Sequence, residues 1–381
     1  MENHFNHFNI LNIPLSLYVH FPWCIQKCPY CDFYSKTDSI IPQKNYFYSL
    51  KKDFEESCNL FYPRKIKSIF FGGGTPSLMD VDLLNDFLLF LKPFCENNQN
   101  QTEITLEANP GAIEKGNFKN FKEAGINRIS LGVQSFNHQI LQKIGRIHSA
   151  QEAKNALNEI QQNFDNFNID LMFALPLQTL NDLENDLKTA FLFHPPHLSV
   201  YQLTIESGTF FYKNPPKLPD ENLTEKMENT IYNLTQNNHY EHYEISAYAK
   251  NNFQCQHNLN YWQFGDYLGI GPGAHSKITL KNKKIFRFVR NFNIENYLNH
   301  QFIIQKQIPE NMALEYLMNA FRLKKWFSFV DFENKTGLKI KTIENNLKKA
   351  EEKKLLIIQN NGIQTTDLGR KFLNQLLLFF V

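Results

Sequence analysis

Cys24, Cys28 and Cys31 lie in one short run at the spacing C-x3-C-x2-C, with no fourth cysteine at hand. Thiolates hold an iron–sulfur cube one cysteine per iron, so three of them occupy three irons of a [4Fe–4S] cluster and leave the fourth open to an outside ligand. The spacing would also align three side chains on one helical face. Pro22 and Pro29 oppose helix at the residues before them, so the segment reads as an irregular loop. Structural zinc is the competing metal. It takes four closed ligands, and His20 precedes the first cysteine with Pro22 between, unlike the usual finger spacings. An open iron can chelate the amino and carboxylate groups of S-adenosylmethionine, and one electron from the cube then cleaves the sulfonium bond. The cofactor carries that step, while the protein holds it and excludes water.

The elements that position this loop follow from the alternation of short β-branched or aromatic runs with longer amphipathic stretches up to about residue 205. That alternation predicts parallel strands joined by crossover helices. Strands are expected at 16–20, 68–71, 103–107, 128–133, 168–173 and 198–203, with helices such as 46–60, 81–91 and 150–162 between them. The cysteines follow the first strand, Gly72-Gly-Gly-Thr-Pro76 follows the second, Glu107 closes the third, Gln134 ends the fourth and Asp170 lies within the fifth. Carboxyl ends of strands form the active face of such barrels. Six units predict an α/β fold, a partial (β/α)6 TIM-like barrel open on one side. Side-chain-free Gly72–Gly74 would let the backbone approach a ligand closely.

The chain has 381 residues, 42% hydrophobic and 20% charged, with a formal net charge of only +2. This suits one large domain plus a smaller one and gives no whole-chain field for nucleic acid or acidic membranes. Six cysteines, three of them in the loop, do not resemble a secreted disulfide framework, and cube ligation needs free thiols. A reducing cytoplasm is expected. Neither a signal core nor a run long enough to span a membrane is apparent, and the apolar ending 376–381 is expected to pack on its own domain. The 35 phenylalanines and frequent asparagines read as compositional drift.

Three domains are expected: the barrel over 1–220, a sheet extension over 221–304, and a winged-helix-like domain over 305–381. The last rests on helix-like segments at 312–323, 329–336 and 340–353, then a strand and a turn at Asn360-Asn-Gly362. Its third helix mixes Glu344, Glu351 and Glu352 with five lysines, so it lacks the single-sign stripe of a phosphate-tracking surface. A docking role is expected, with no nucleic acid.

The cysteine loop with the following triglycine resembles the radical S-adenosylmethionine superfamily over roughly residues 15–205. The runs Phe71-Gly-Gly-Gly-Thr-Pro76, Leu131-Gly-Val-Gln-Ser-Phe136 and Ile169-Asp-Leu-Met-Phe-Ala-Leu-Pro176, with the winged ending, resemble the oxygen-independent coproporphyrinogen III oxidases and their relatives. The resemblance implies that Tyr18, Gly74, Thr75 and Glu107 contact the cluster-bound S-adenosylmethionine. It also implies that Gln134, Arg146 and Asp170 line a second such site. Carboxylates can accept from ribose hydroxyls or an ammonium group, and Arg146 offers a planar fork for a carboxylate.

True oxidases of this group carry one more cysteine two positions after the third, where this chain has Phe33. Trp23, Tyr201-Gln-Leu-Thr204 and His257-Asn-Leu-Asn-Tyr-Trp262 instead resemble the HemW-type heme chaperones. That resemblance implies heme binding and transfer, with heme, a heme-accepting protein, transiently docked membrane proteins included, and an electron donor as partners, and a monomer or homodimer. Coproporphyrinogen dehydrogenation, or another radical modification, stays open as the enzymatic alternative. His257 is a reasonable axial ligand, with Tyr261 and Trp262 as flat apolar surface and His275 as a rival. Cys58 and Cys95 are expected to be structural, on helices, and Cys255 an inert or surface thiol.

Overall fold

The computed structural model describes residues 13–38, 40–61, 64–96, 102–111, 118–307 and 311–381. Twelve strands form one sheet. In chain order they are β1 (Leu15–Phe21), β2 (Ile66–Gly73), β3 (Glu103–Ala108), β4 (Arg128–Gln134), β5 (Phe167–Phe173), β6 (His197–Gln202), β7 (Glu241–Glu244), β8 (Ala247–Ala249), β9 (Asp266–Ile270), β10 (His275–Thr279), β11 (Ile285–Arg290) and β12 (Ile303–Gln307). Their order across the sheet is β12-β11-β10-β9-β1-β2-β3-β4-β5-β6-β8-β7. Strands β1 to β6 pair parallel, as the six-unit alternation predicts. Strand β9 joins β1 in parallel, whereas β8 pairs antiparallel with β6. The segment after residue 220 thus adds strands at both ends of the parallel set.

Strand alternation sorts the side chains. Leu17, Val19, Ile69, Phe71, Leu106, Ile129, Leu131, Ile169 and Leu198 are buried in the main core with residues of the crossover helices. The alternate positions Ser16, Ser68, Thr105, Ser130, Asn168 and Asp170 are polar and turn to the concave face. A sheet whose inner face is polar needs something polar to fill it. At the amino ends of the strands the helix Gln256–Trp262 supplies this, packed against β1, β2 and β9. The His257 amide donates to Glu103 at 3.2 Å, and the Cys255 thiol lies 3.6 Å from the same carboxylate.

A second core gathers Tyr316, Leu317, Phe327, Phe332, Leu347, Leu356, Ile363, Leu376 and Phe380, with Tyr243, Ala247 and Phe264 from the preceding segment. Around it stand helices Met312–Ala320, Phe329–Thr336 and Glu344–Glu352, and a small antiparallel sheet of β13 (Phe327–Ser328), β14 (Leu356–Gln359) and β15 (Gly362–Thr365), ordered β13-β15-β14. Asn360 and Asn361 both take positive φ, 49° and 58°, the left-handed pair that a two-residue hairpin requires. The helix expected over 340–353 is broken: a 3-10 turn, Ile340–Thr342, precedes the α-helix. The apolar ending packs inward through Leu376 and Phe380. No described helix is long and apolar enough to cross a membrane.

Candidate functional site: a cysteine loop over a polar cavity

The cysteine loop is fixed at both ends before any ligand arrives. Trp23 is buried, donates from its indole to Asp38 at 2.9 Å, and bridges to Lys36, so the loop leaves and returns at one point. The Cys24 amide donates to the Lys36 carbonyl at 2.9 Å, and the Lys36 amide to Pro22 at 2.7 Å. The triglycine clamps this base: the Gly74 amide donates to Phe21 and the Thr75 amide to Trp23, each at 2.7 Å. A Cβ on Gly74 would stand 2.3 Å from the Trp23 carbonyl oxygen, so the approach needs glycine. Here the small residue brings the loop, rather than a ligand, close.

Cys24, Cys28 and Cys31 are free, partly exposed, and line one cavity of about 470 Å³. Burial pushes the Cys24 and Cys31 thiols above their ordinary range. Iron takes the thiolate, so binding would discharge those protons. Among the described residues no trio of His, Cys, Asp or Glu is drawn together around a single ion. Three separate thiols over a roomy cavity suit a group that spreads its ligands over several irons, and they lack the closed shell of structural zinc.

Gly74, Thr75, Glu107, Gln134, Arg146 and Asp170 line the same cavity. Glu107 accepts from the Gly73 amide at 3.3 Å. Burial, then the negative charge of Asp170, pushes its carboxyl up to about 8, against the Gly73 amide bond and the Arg128 charge that lower it. Asp170 is also raised by burial, although Ser130 donates to it at 2.9 Å and Asn168 at 2.8 Å. Gln134 sits at a register shift between β4 and β5 with φ 68°, and accepts from the Tyr201 hydroxyl at 2.7 Å. Bulges of this kind re-aim a side chain at a strand end.

Arg146 is held differently from the expected open fork. Nη2 donates to Asn109 at 2.6 Å and to the Gly132 carbonyl at 2.5 Å, while Nη1 points at Cys28 Sγ, 3.7 Å away. Its geometry positions the cysteine loop against β4. Tyr18 does not line this cavity. It stands over the bare face of Gly72, whose absent Cβ would meet both Tyr18 and Glu107 at 3.1 Å, and its hydroxyl pairs with His20 Nδ1 at 3.0 Å. Asn109 escaped the sequence reading, as did Tyr30, Ser130 and Ser199, all of which face the cavity. Two-residue alternation from Asp170 marks its face, but only strand register sets Gly132, Asp170 and Ser199 side by side.

The heme candidates separate. His257 is buried with both ring nitrogens engaged, Nδ1 with Ser68 at 3.1 Å and Nε2 with the Tyr261 hydroxyl at 3.0 Å, and it stacks on Phe70. Trp262 packs against the second core beneath the Arg322 guanidinium at 4.3 Å. Tyr261 alone of the three lines an open cleft. Cys255 is fully buried rather than at the surface, its thiol pushed up to about 12 by burial and then the Glu103 charge. Cys58 lies on the helix Gln43–Phe61, whereas Cys95 lies past a 3-10 turn in a bridge to Ile66.

Residues 18–190 match the Radical SAM superfamily and residues 309–372 the HemN C-terminal domain, so the fold and the cysteine loop define a radical S-adenosylmethionine protein of HemN type. The structure of Escherichia coli coproporphyrinogen III oxidase HemN superposes with a TM-score of 0.80 at 21% identity, covering 97% of this chain and 90% of that one. Proteins named "Heme chaperone HemW" from Buchnera aphidicola (Schizaphis graminum), Haemophilus influenzae and Escherichia coli are 45%, 44% and 41% identical, each over 97% of this chain and 98% of its own length. The chain belongs to the HemW family. Membership implies a [4Fe–4S] cluster and S-adenosylmethionine.

Proposed function

We propose that this chain is a heme chaperone. It binds heme and passes it to an acceptor protein, and carries a [4Fe–4S] cluster on Cys24, Cys28 and Cys31 with an exchangeable S-adenosylmethionine on the fourth iron. The observation that carries the reading is the set of three free thiols over one polar cavity, in a chain 41–45% identical from end to end to proteins named as heme chaperones. When bound, the cluster and its ligand supply one-electron chemistry.

The chain's own residues hold and orient. The Gly74 clamp and Arg146 fix the loop, and the Thr75 hydroxyl accepts from Asn109 at 3.0 Å, leaving the cavity rim rigid. Glu107, protonated at neutral pH while the cavity holds no cation, loses its proton to meet an ammonium or sulfonium group. Gln134, Asp170 and Arg146 border the space assigned to a second S-adenosylmethionine. Three domains, 1–220, 221–304 and 305–381, and a cytoplasmic setting complete the reading.

Anaerobic reconstitution tests it. The expected product binds about four irons per chain, a stoichiometry lost when all three loop cysteines become serine. Its cluster spectrum shifts on adding S-adenosylmethionine, and the same sample gains a Soret band with hemin. Turnover of coproporphyrinogen III to protoporphyrinogen IX would replace the chaperone reading with the enzymatic one.

A further inference from the structure

Between the cysteine loop and the turn that joins β9 to β10 opens a second cleft, of about 400 Å³, separated from the main cavity by Asp32 and Phe33. Four tyrosines, Tyr18, Tyr34, Tyr261 and Tyr267, line it together with Phe33 and Phe292. The rings stand at angles to one another. Tyr34 meets Phe292 edge-on at 5.4 Å, and Tyr261 meets Tyr267 edge-on at 4.5 Å, so each pair makes a corner rather than one flat wall. Gly273, with φ 80°, turns the chain here so tightly that a Cβ would stand 3.0 Å from Phe292 and 3.1 Å from Tyr34. Phe33 at 62% and Phe292 at 40% exposure leave apolar rings open to water at the mouth. Aromatics grouped at a concave site mark a place that a ligand covers.

The hydroxyls of all four tyrosines are already engaged. Tyr34 donates to the Phe292 carbonyl, Tyr261 pairs with His257 Nε2 and Tyr18 with His20 Nδ1, each at 3.0 Å, and Tyr267 accepts from Arg287 at 3.3 Å. What these side chains present to a ligand is therefore ring surface. The electrostatics of the lining have one sign. Asp32, exposed on the rim, is its only residue charged at neutral pH. Burial pushes the His20 imidazole down to about 4, and partial burial followed by the Arg287 charge holds His275 below the usual histidine range, so both rings are neutral. Arg287 itself lies behind Tyr267 and is paired with Glu315. Ring faces carry the negative end of the aromatic quadrupole, which adds to the Asp32 charge. Walls of this kind repel anions and attract a cation that needs no hydrogen bonds, as in the aromatic cages that recognise quaternary ammonium groups.

We propose that this cleft is a binding site for a small free organic cation of the quaternary ammonium class, its methyl groups against the rings of Tyr34, Tyr261 and Phe292 and its charge toward Asp32. The site is separate from the cluster cavity and does not depend on the heme-chaperone reading. His257 then has an indirect part: through its bond to the Tyr261 hydroxyl it sets the orientation of one cage wall.

Calorimetric titration of the full chain with choline, set against the neutral alcohol in which a quaternary carbon replaces the nitrogen, tests the assignment. Choline is expected to bind at least about tenfold more tightly, the sum of several cation–ring contacts that the neutral molecule cannot make. Phe292→Leu keeps apolar bulk but loses the ring face, so choline should weaken by about threefold while the neutral alcohol binds as before. Asp32→Asn should weaken choline by about threefold and flatten the dependence of its affinity on salt. Far-UV circular dichroism and the iron content of the loop cluster, measured on the same variants, should match the wild-type chain. Equal affinity for the two probes overturns the cationic assignment, and absence of choline binding overturns the site. Full choline affinity in both variants overturns its placement in this cleft. Each of these failures leaves the chaperone reading standing, because that reading is scored by cluster assembly and hemin.

Discussion

Arg146 Nη2 donates to Asn109 Oδ1 at 2.6 Å, joining the segment that follows β4 to the end of β3 directly beneath Cys28. Asn109 passes the link on through its amide nitrogen to Thr75, so a thiol, a guanidinium, an amide and a hydroxyl form one chain of contacts around the cavity. Lysine cannot copy the fork, because it is a point charge without paired planar donors. Arg146→Lys is therefore expected to loosen Cys28 and to speed cluster loss to a chelator by about tenfold, within the range for outer partners of metal ligands. Iron release followed at the cluster absorbance measures it.

Gly74→Ala forces a carbon to within 2.3 Å of the Trp23 carbonyl. Backbone must move, since no flexible side chain is there to yield. The expected cost is about 1–3 kcal/mol in denaturant unfolding of the apo chain, the usual range for overpacking. Cluster incorporation should fall with it, because the displaced strand end carries the base of the cysteine loop.

Glu107 makes stability depend on pH. Its folded carboxyl titrates near 8 against an ordinary 4.5, so between those values the folded chain holds a proton that the unfolded chain has lost. Its share of stability is full below pH 4.5 and declines as pH rises toward 8, by up to about 1.4 kcal/mol per pH unit. Glu107→Gln keeps the shape without the titration. Denaturation of apo protein across that window should show a flatter profile in the variant, and equal slopes would contradict the assigned burial.

Far from the cavity, Asp266 lies fully buried between Arg64 at 2.9 Å and Lys277 at 3.0 Å. Asp266→Ala leaves two buried cations without a counter-charge, which is expected to cost about 3–5 kcal/mol. Burial opposes the charged carboxylate, but Lys277 and Arg64 outweigh it and hold Asp266 below its ordinary 3.8. That contribution is present above this value and is lost as pH falls through the lower folded one. Urea midpoints at neutral pH and in acid check both statements.

Much of the fold could be read from local signals. The helix Ala150–Asn163 begins after Ser149 with Glu152 three residues on, a reciprocal cap that the residues display in plain order. The six parallel strands fall within two residues of expectation at each end, because alternation and breakers are local properties. Site membership was partly legible as well: Glu107 lies at the end of β3, where chemistry collects, and Asp170 within β5 on the polar face. What lay hidden depends on residues far apart in the chain. His257 reads as a ligand beside Tyr261 and Trp262, but its Nδ1 partner, Ser68, is 189 positions away. Tyr18 was placed beside the cluster ligand by the resemblance, and it meets Glu107 across the bare face of Gly72 through the pairing of β1 with β2. Side-chain partners across a curved sheet follow from register, and register is settled only when all strands have paired.

Phe33 borders the cysteine cavity on one side and the aromatic cleft on the other. Asp32 and Phe33 together are thus the party wall of two rooms. Trimming the ring would thin that wall, so a Phe33→Ala change made to study the cysteine cavity would also reshape the cleft beyond it.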